Sequence, residues 1–162
     1  MIKCLVNIYK FSLPMAIVIT LVLCLFTIGN VPTFADSGSG NLLKQTPINI
    51  TVSLSNSADE LKFFPNNLEF TSGKRYKLQL TNPSPQKHYF TAKDFADAIW
   101  TQKVEAGNVE VKGAIHELEL KPKAQADWVF VPMKPGNYQL RCSIAGHTQA
   151  GMIGKIAVVS GK

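Results

Sequence analysis

The spacing Cys142-x4-His147-x4-Met152 places a thiol, an imidazole and a thioether in one loop, and the runs flanking that loop restrict what the chain can become. Before it, Tyr138, Leu140 and Cys142 alternate with Asn137, Gln139 and Arg141 after the turn Lys134-Pro135-Gly136, the period-two signature of a strand. After it, Gly154-Lys155-Ile156-Ala157-Val158-Val159 begins another strand. Gly146 and Gly151 loosen the connection, so it can turn three side chains onto one point. Such a chain needs a sheet with one strand ending at the thiol, and a fourth group arriving from a distant strand end.

The donor types narrow the chemistry. Two imidazoles, a thiolate and a weak axial thioether form the set that suits copper cycling between two oxidation states. One further histidine is therefore required, and Lys87-His88-Tyr89-Phe90 offers it just after the turn-rich Asn82-Pro83-Ser84-Pro85. The chain has three histidines, so His116 is the other candidate.

The run Pro135 to Cys142, followed by Gly146-His147 and Gly151-Met152-Ile153-Gly154-Lys155, resembles the copper loop of the cupredoxins, the plastocyanin and azurin family. Its spacing is nearer to auracyanin, rusticyanin and plantacyanin than to plastocyanin, whose Cys–His gap is shorter. The resemblance covers roughly the last two-thirds of the chain. It implies an all-β fold, a cupredoxin-like Greek-key β-sandwich, with one copper ion held by His88, Cys142, His147 and Met152. In that family the first histidine opens a strand after an Asn- or Pro-containing turn, which His88 matches. His116 stands mid-strand beside Glu117 and Glu119 and reads as a surface residue. Met133, the rival to Met152, lies in a Pro-Met-Lys-Pro turn. Against the family pattern, Tyr89 replaces an Asn after the first histidine, Arg141 replaces a Tyr before the Cys, and Ala145 replaces a Pro. Ser143 is retained, and its hydroxyl is expected to bond locally and hold the loop.

The N-terminus reads as a targeting segment. Lys3 and Lys10 precede an apolar run from Phe11 to Ile28, and Val31-Pro32-Thr33-Phe34-Ala35 offers a cleavage site, so residues 1–35 are expected to be a signal peptide. An uncleaved membrane anchor is the alternative. Cleavage removes Cys4 and Cys24, leaving Cys142 as the one thiol of a protein exported to the periplasm or the thylakoid lumen. A buried structural Cys is the competing reading, and it leaves the positions of His147 and Met152 to coincidence. Residues 36–45, rich in Ser and Gly, are expected to be a flexible linker and residues 46–162 the cupredoxin domain. The formal charge of +6 falls to +4 without Lys3 and Lys10, a balance that favours redox partner proteins with an acidic docking surface. The lysines are scattered and no nucleic-acid motif accompanies them.

Along the domain, alternating apolar residues predict strands at Ile48 to Leu54, Leu68 to Phe70, Lys74 to Leu80, His88 to Thr91, Val109 to Leu120 and Gln125 to Val131. Many short strands with turns between them indicate a sandwich. Residues 93–104 depart from this: Phe95, Ile99 and Val104 recur at near-helical spacing and predict one short inserted helix with Trp100 packed there. The function expected is a one-electron carrier and not an enzyme, with copper delivery without redox turnover as the alternative. A nitrite reductase needs further histidines for its second copper, and a zinc hydrolase does not use Met as a ligand.

Overall fold

A computed structural model describes residues 41–161. The expected signal peptide, residues 1–35, lies outside the described residues. Among the described residues no helix is long and apolar enough to cross a membrane. Residues 41–45, within the expected linker, form a 3-10 turn at Leu42–Lys44 capped by the Asn41 side chain. The Arg75 guanidinium ties it to the body of the domain by donating to the carbonyls of Leu43 and Gln45.

Eleven strands follow: β1 (Ile48–Leu54), β2 (Phe63–Phe64), β3 (Asn67–Thr71), β4 (Tyr76–Thr81), β5 (His88–Thr91), β6 (Ile99–Ala106), β7 (Val109–Val111), β8 (Glu117–Leu120), β9 (Gln125–Pro132), β10 (Gly136–Arg141) and β11 (Ile153–Val159). They form a six-stranded sheet in the order β2-β1-β4-β9-β6-β7 and a five-stranded sheet in the order β3-β11-β10-β5-β8. Pairing is antiparallel except for β1 with β4 and β3 with β11. The chain changes sheets repeatedly, and this is the sandwich that the alternation of short strands predicts.

Alternation builds the core. In β4, Tyr76, Leu78 and Leu80 point inward while Lys77, Gln79 and Thr81 face outward. Opposite them, β9 contributes Trp128 and Phe130, and the second sheet contributes Leu68, Phe70, Phe90, Leu140 and Ile156. The sheets meet through edge-on aromatic pairs, Phe90 with Trp128 at 6.0 Å and Phe70 with Phe130 at 5.2 Å between ring centroids. Each such pair adds about 0.5–1.5 kcal/mol beyond the area it buries.

The inserted helix is shorter than its spacing suggests. Only Lys93–Ala96 is helical (α1), and Ile99 onward is strand β6, paired with β9 from Ile99 opposite Pro132 to Glu105 opposite Asp127. A bulge between Thr101 and Lys103 shifts the alternation, so Ile99 and Val104 fall at a separation that imitates a helical face. No side chain caps the start of α1, and the Ala98 carbonyl accepts from the amides of Met133 and Lys134, which ends the helix there. Phe95 still packs inward, against Phe70, Trp128, Phe130 and Tyr138. Trp100 does not pack; it is exposed on β6.

Candidate metal centre

Strand order brings the separate parts of the site together. β10 lies between β11 and β5, with Arg141 opposite both Ile153 and Thr91, so the strand that begins at His88 runs beside the one that leads to Cys142. The close approach of β11 needs Gly154, where a Cβ would sit 2.6 Å from the Asn66 carbonyl oxygen.

The loop from Cys142 to Met152 closes on itself. The Cys142 amide donates to the Met152 carbonyl at 3.0 Å, and the Met152 amide donates to the His147 carbonyl at 2.9 Å. Thr148 adds a bond from its hydroxyl to the Cys142 carbonyl at 2.8 Å. Gly146 and Gly151 hold φ of 84° and 100°, left-handed conformations that a side chain would strain. The three backbone positions of the motif are thereby locked to one another.

One nitrogen or sulfur from each of His88, Cys142 and His147 lies within 4.8 Å of the other two. The Cys142 sulfur is 3.6 Å from His147 Nδ1, and the two imidazole rings are 5.2 Å apart between centroids. His88, Cys142 and Met152 are fully buried, and His147 is half-buried at the loop. The Tyr89 amide donates to the Cys142 sulfur at 3.4 Å. This hydrogen bond comes from the backbone of the residue after the first histidine, so it survives whatever side chain stands there. Burial, and then the neighbouring His147 imidazole, hold His88 below its ordinary pKa of 6.5 despite the opposing pull of Asp59.

His116 is far from this chemistry. It precedes β8 rather than sitting within a strand, is exposed, and bonds Asp97 Oδ1 at 2.6 Å through Nε2. Met133 is likewise exposed. The basic residues beside the ligands have acidic neighbours: Lys87 pairs with Glu119 at 3.2 Å, and Arg141 is one of the charges acting on Glu117. Ser143, half-buried, interacts with Glu117 and holds its carboxyl below the usual range, with the Thr91 hydroxyl assisting by a bond of 2.8 Å. The loop is therefore held by Thr148, which the sequence reading did not single out. It also missed Asn82 as a buried staple and Asp59 as a neighbour of His88. An Asn directly before a Pro in a turn-rich run was a legible signal for the first; no local pattern marked the second.

The donor set can be tested against a metal from the protein atoms alone. His88 Nδ1 is buried and has no hydrogen-bond partner among the described residues. Leaving such a group unsatisfied costs about 1–3 kcal/mol, a cost that a metal ligand does not incur. A Cys–His nucleophile pair fits worse, because the sulfur is sealed from solvent and that pair leaves His88 without a role. Two imidazoles and a thiol with a buried thioether in the same loop match the soft, low-coordinate preference of copper.

Among solved structures the chain resembles auracyanin B, with 23% identity and a TM-score of 0.50 over 75% of this chain and 96% of that one. It also resembles the dithionite-reduced auracyanin of Roseiflexus castenholzii, with 18% identity and a TM-score of 0.50 over 68% and 96%. The fold is that of a cupredoxin. The same cupredoxin architecture matches a copper-containing nitrite reductase from Thermus scotoductus, with 15% identity and a TM-score of 0.55, over 72% of this chain but 32% of that one. No family model and no curated protein matches the sequence.

Proposed function

We propose that the protein is an exported one-electron carrier that holds a single copper ion with His88, Cys142, His147 and Met152. The observation that carries this reading is the buried, partnerless Nδ1 of His88 beside the Cys142–His147 pair. Bound there, copper would supply a Cu(I)/Cu(II) couple, and two imidazoles, a thiolate and a thioether would accept both states with little rearrangement. The protein's own groups do the rest. The Tyr89 amide bonds the sulfur and tunes its electron donation, the interlocked loop keeps three donors in place, and burial of Cys142 and Met152 keeps water away.

Export rests on the charged, apolar and small-residue succession in residues 1–35. Redox proteins are the expected partners. Because Lys87 is neutralised by Glu119 and Glu117 lies near Arg141, attraction to an acidic partner falls mainly to the scattered lysines behind the +4 balance. An enzymatic role is disfavoured: a second copper centre needs more histidines, and His116 is engaged with Asp97 away from the cluster.

The test is the visible and paramagnetic-resonance spectrum of the full-length protein after addition of Cu(II). An intense thiolate-to-copper band that Cys142→Ser abolishes supports the carrier. His88→Ala should open the copper to added imidazole, whereas His116→Ala should leave the spectrum unchanged. A colourless protein that binds only Cu(I) and exchanges it readily would favour copper delivery instead.

A further inference from the structure

The loop between β1 and β2 carries a feature that the metal cluster alone does not explain. Asp59 holds φ of 59°, in the left-handed region. Asn56 secures that shape, its Oδ1 accepting from the amides of Ala58 and Glu60 and its carbonyl accepting from the Asp59 amide at 3.0 Å. The strained turn presents both Asp59 oxygens to the segment that leads into β5. Oδ1 accepts from the Ser84 hydroxyl at 2.5 Å, and Oδ2 accepts from the Gln86 side-chain amide at 2.5 Å.

The hydroxyl of Ser84, a fully buried residue, then fixes a direction. Its oxygen has one hydrogen and two lone pairs. The hydrogen goes to Asp59, because a carboxylate only accepts. One lone pair accepts from the Gln86 amide at 2.9 Å. The remaining contact, His88 Nε2 at 3.2 Å, must therefore be a donor. In the neutral imidazole that places the proton of His88 on Nε2 and leaves Nδ1 as a lone pair, the same nitrogen that has no partner among the described residues.

We infer that Asp59 is a positioning residue that acts through Ser84 to hold His88 in the Nε2–H form, with Nδ1 ready for the metal, and to favour Cu(II) by its charge. The inference rests on the copper-carrier reading for its second half and not for its first. Asp59 Oδ1 lies 3.7 Å from His88 Nε2, close enough for the negative charge to strengthen the imidazole as a donor and to stabilise the higher oxidation state. Residues bonded to the far side of a ligating histidine commonly change metal affinity by about 10–100-fold when removed.

The experiment has two arms on the full-length protein. In the metal-free protein, long-range nitrogen-15 correlation spectra report the tautomer of His88; the Nε2–H form is expected, and an Nδ1–H form overturns the inference. In the copper-loaded protein, Asp59→Asn and Ser84→Ala should each raise the reduction potential. A tenfold loss of preference for Cu(II) reads as about 59 mV for a one-electron couple. Asn tolerates the left-handed backbone at position 59, so the first variant keeps the turn. The double variant should shift no further than the larger single one, since the two residues form one chain. Unchanged or lowered potentials in both variants overturn the inference. If Cu(II) gives no thiolate band in the parent protein, the carrier reading fails, and the tautomer alone decides whether Asp59 orders His88.

Discussion

Replacing Asn82 by alanine removes the staple that joins the β4–β5 connection to the end of β8. Asn82 is buried, and its Nδ2 lies 2.7 Å from the Gln86 carbonyl oxygen, 2.9 Å from that of Leu120 and 3.1 Å from that of Lys121. Its Oδ1 accepts from the Ser84 amide at 3.1 Å. The amide has two hydrogens for three carbonyls, so one full bond and one shared between two carbonyls are lost there, along with the bond to Ser84. At about 1 kcal/mol net for each bond, with the buried carbonyls left wanting donors, the change should cost about 3 kcal/mol. For a domain of this size that is a fall in Tm of about 10 °C. Calorimetry and urea unfolding of the metal-free protein measure it. Asn82→Asp supplies the control, since it keeps the shape but turns a carboxylate toward the carbonyls, and it should cost at least as much. A loss under about 0.5 kcal/mol for alanine, within the range of ordinary surface substitutions, or an Asn82→Asp variant as stable as the parent, would refute the reasoning.

Gly154→Ala drives a Cβ to 2.6 Å from the Asn66 carbonyl oxygen and 3.1 Å from Leu140, so β3 and β11 must separate; a loss of about 1–3 kcal/mol in chemical unfolding is expected, and a neutral result would contradict the packing. Met152→Gln exchanges a soft thioether for an oxygen donor and should lower the reduction potential of the copper-loaded protein in voltammetry, with no change counting against Met152 as a ligand. In the metal-free protein, His88 lies below its ordinary 6.5, and Asp59, Glu117 and Glu119 lie below the carboxylate range, so the unfolded chain binds protons more readily than the folded one. Stability should be full above pH 6.5 and fall on acidification, first as unfolded His88 charges and again as the carboxylates protonate; a flat profile from about pH 7 to about pH 4 would be inconsistent with those shifts.

Much of this protein is written locally. Period-two alternation places Tyr76, Leu78 and Leu80 on one side of β4 and Trp128 and Phe130 on one side of β9, because side-chain direction in a strand depends on parity alone. The C-x4-H-x4-M spacing puts Cys142, His147 and Met152 in one glycine-relaxed loop, a local property that needs no knowledge of other strands. The adjoining of His88 to Cys142 is not local. It exists because β5 runs beside β10, and the sequence carried it through a motif resemblance, not a derivation. Residues 93–104 show where local reading fails: the bulge in β6 and its pairing with β9 overrode a spacing that suits a helix. Asp59 reaches Ser84 across twenty-five positions of sequence, and no periodicity reports such a contact. Spacing along the chain determines which donors share a loop, whereas a hydrogen-bond chain such as Asp59 to Ser84 to His88 depends on how distant segments pack, and only the tertiary structure decides it.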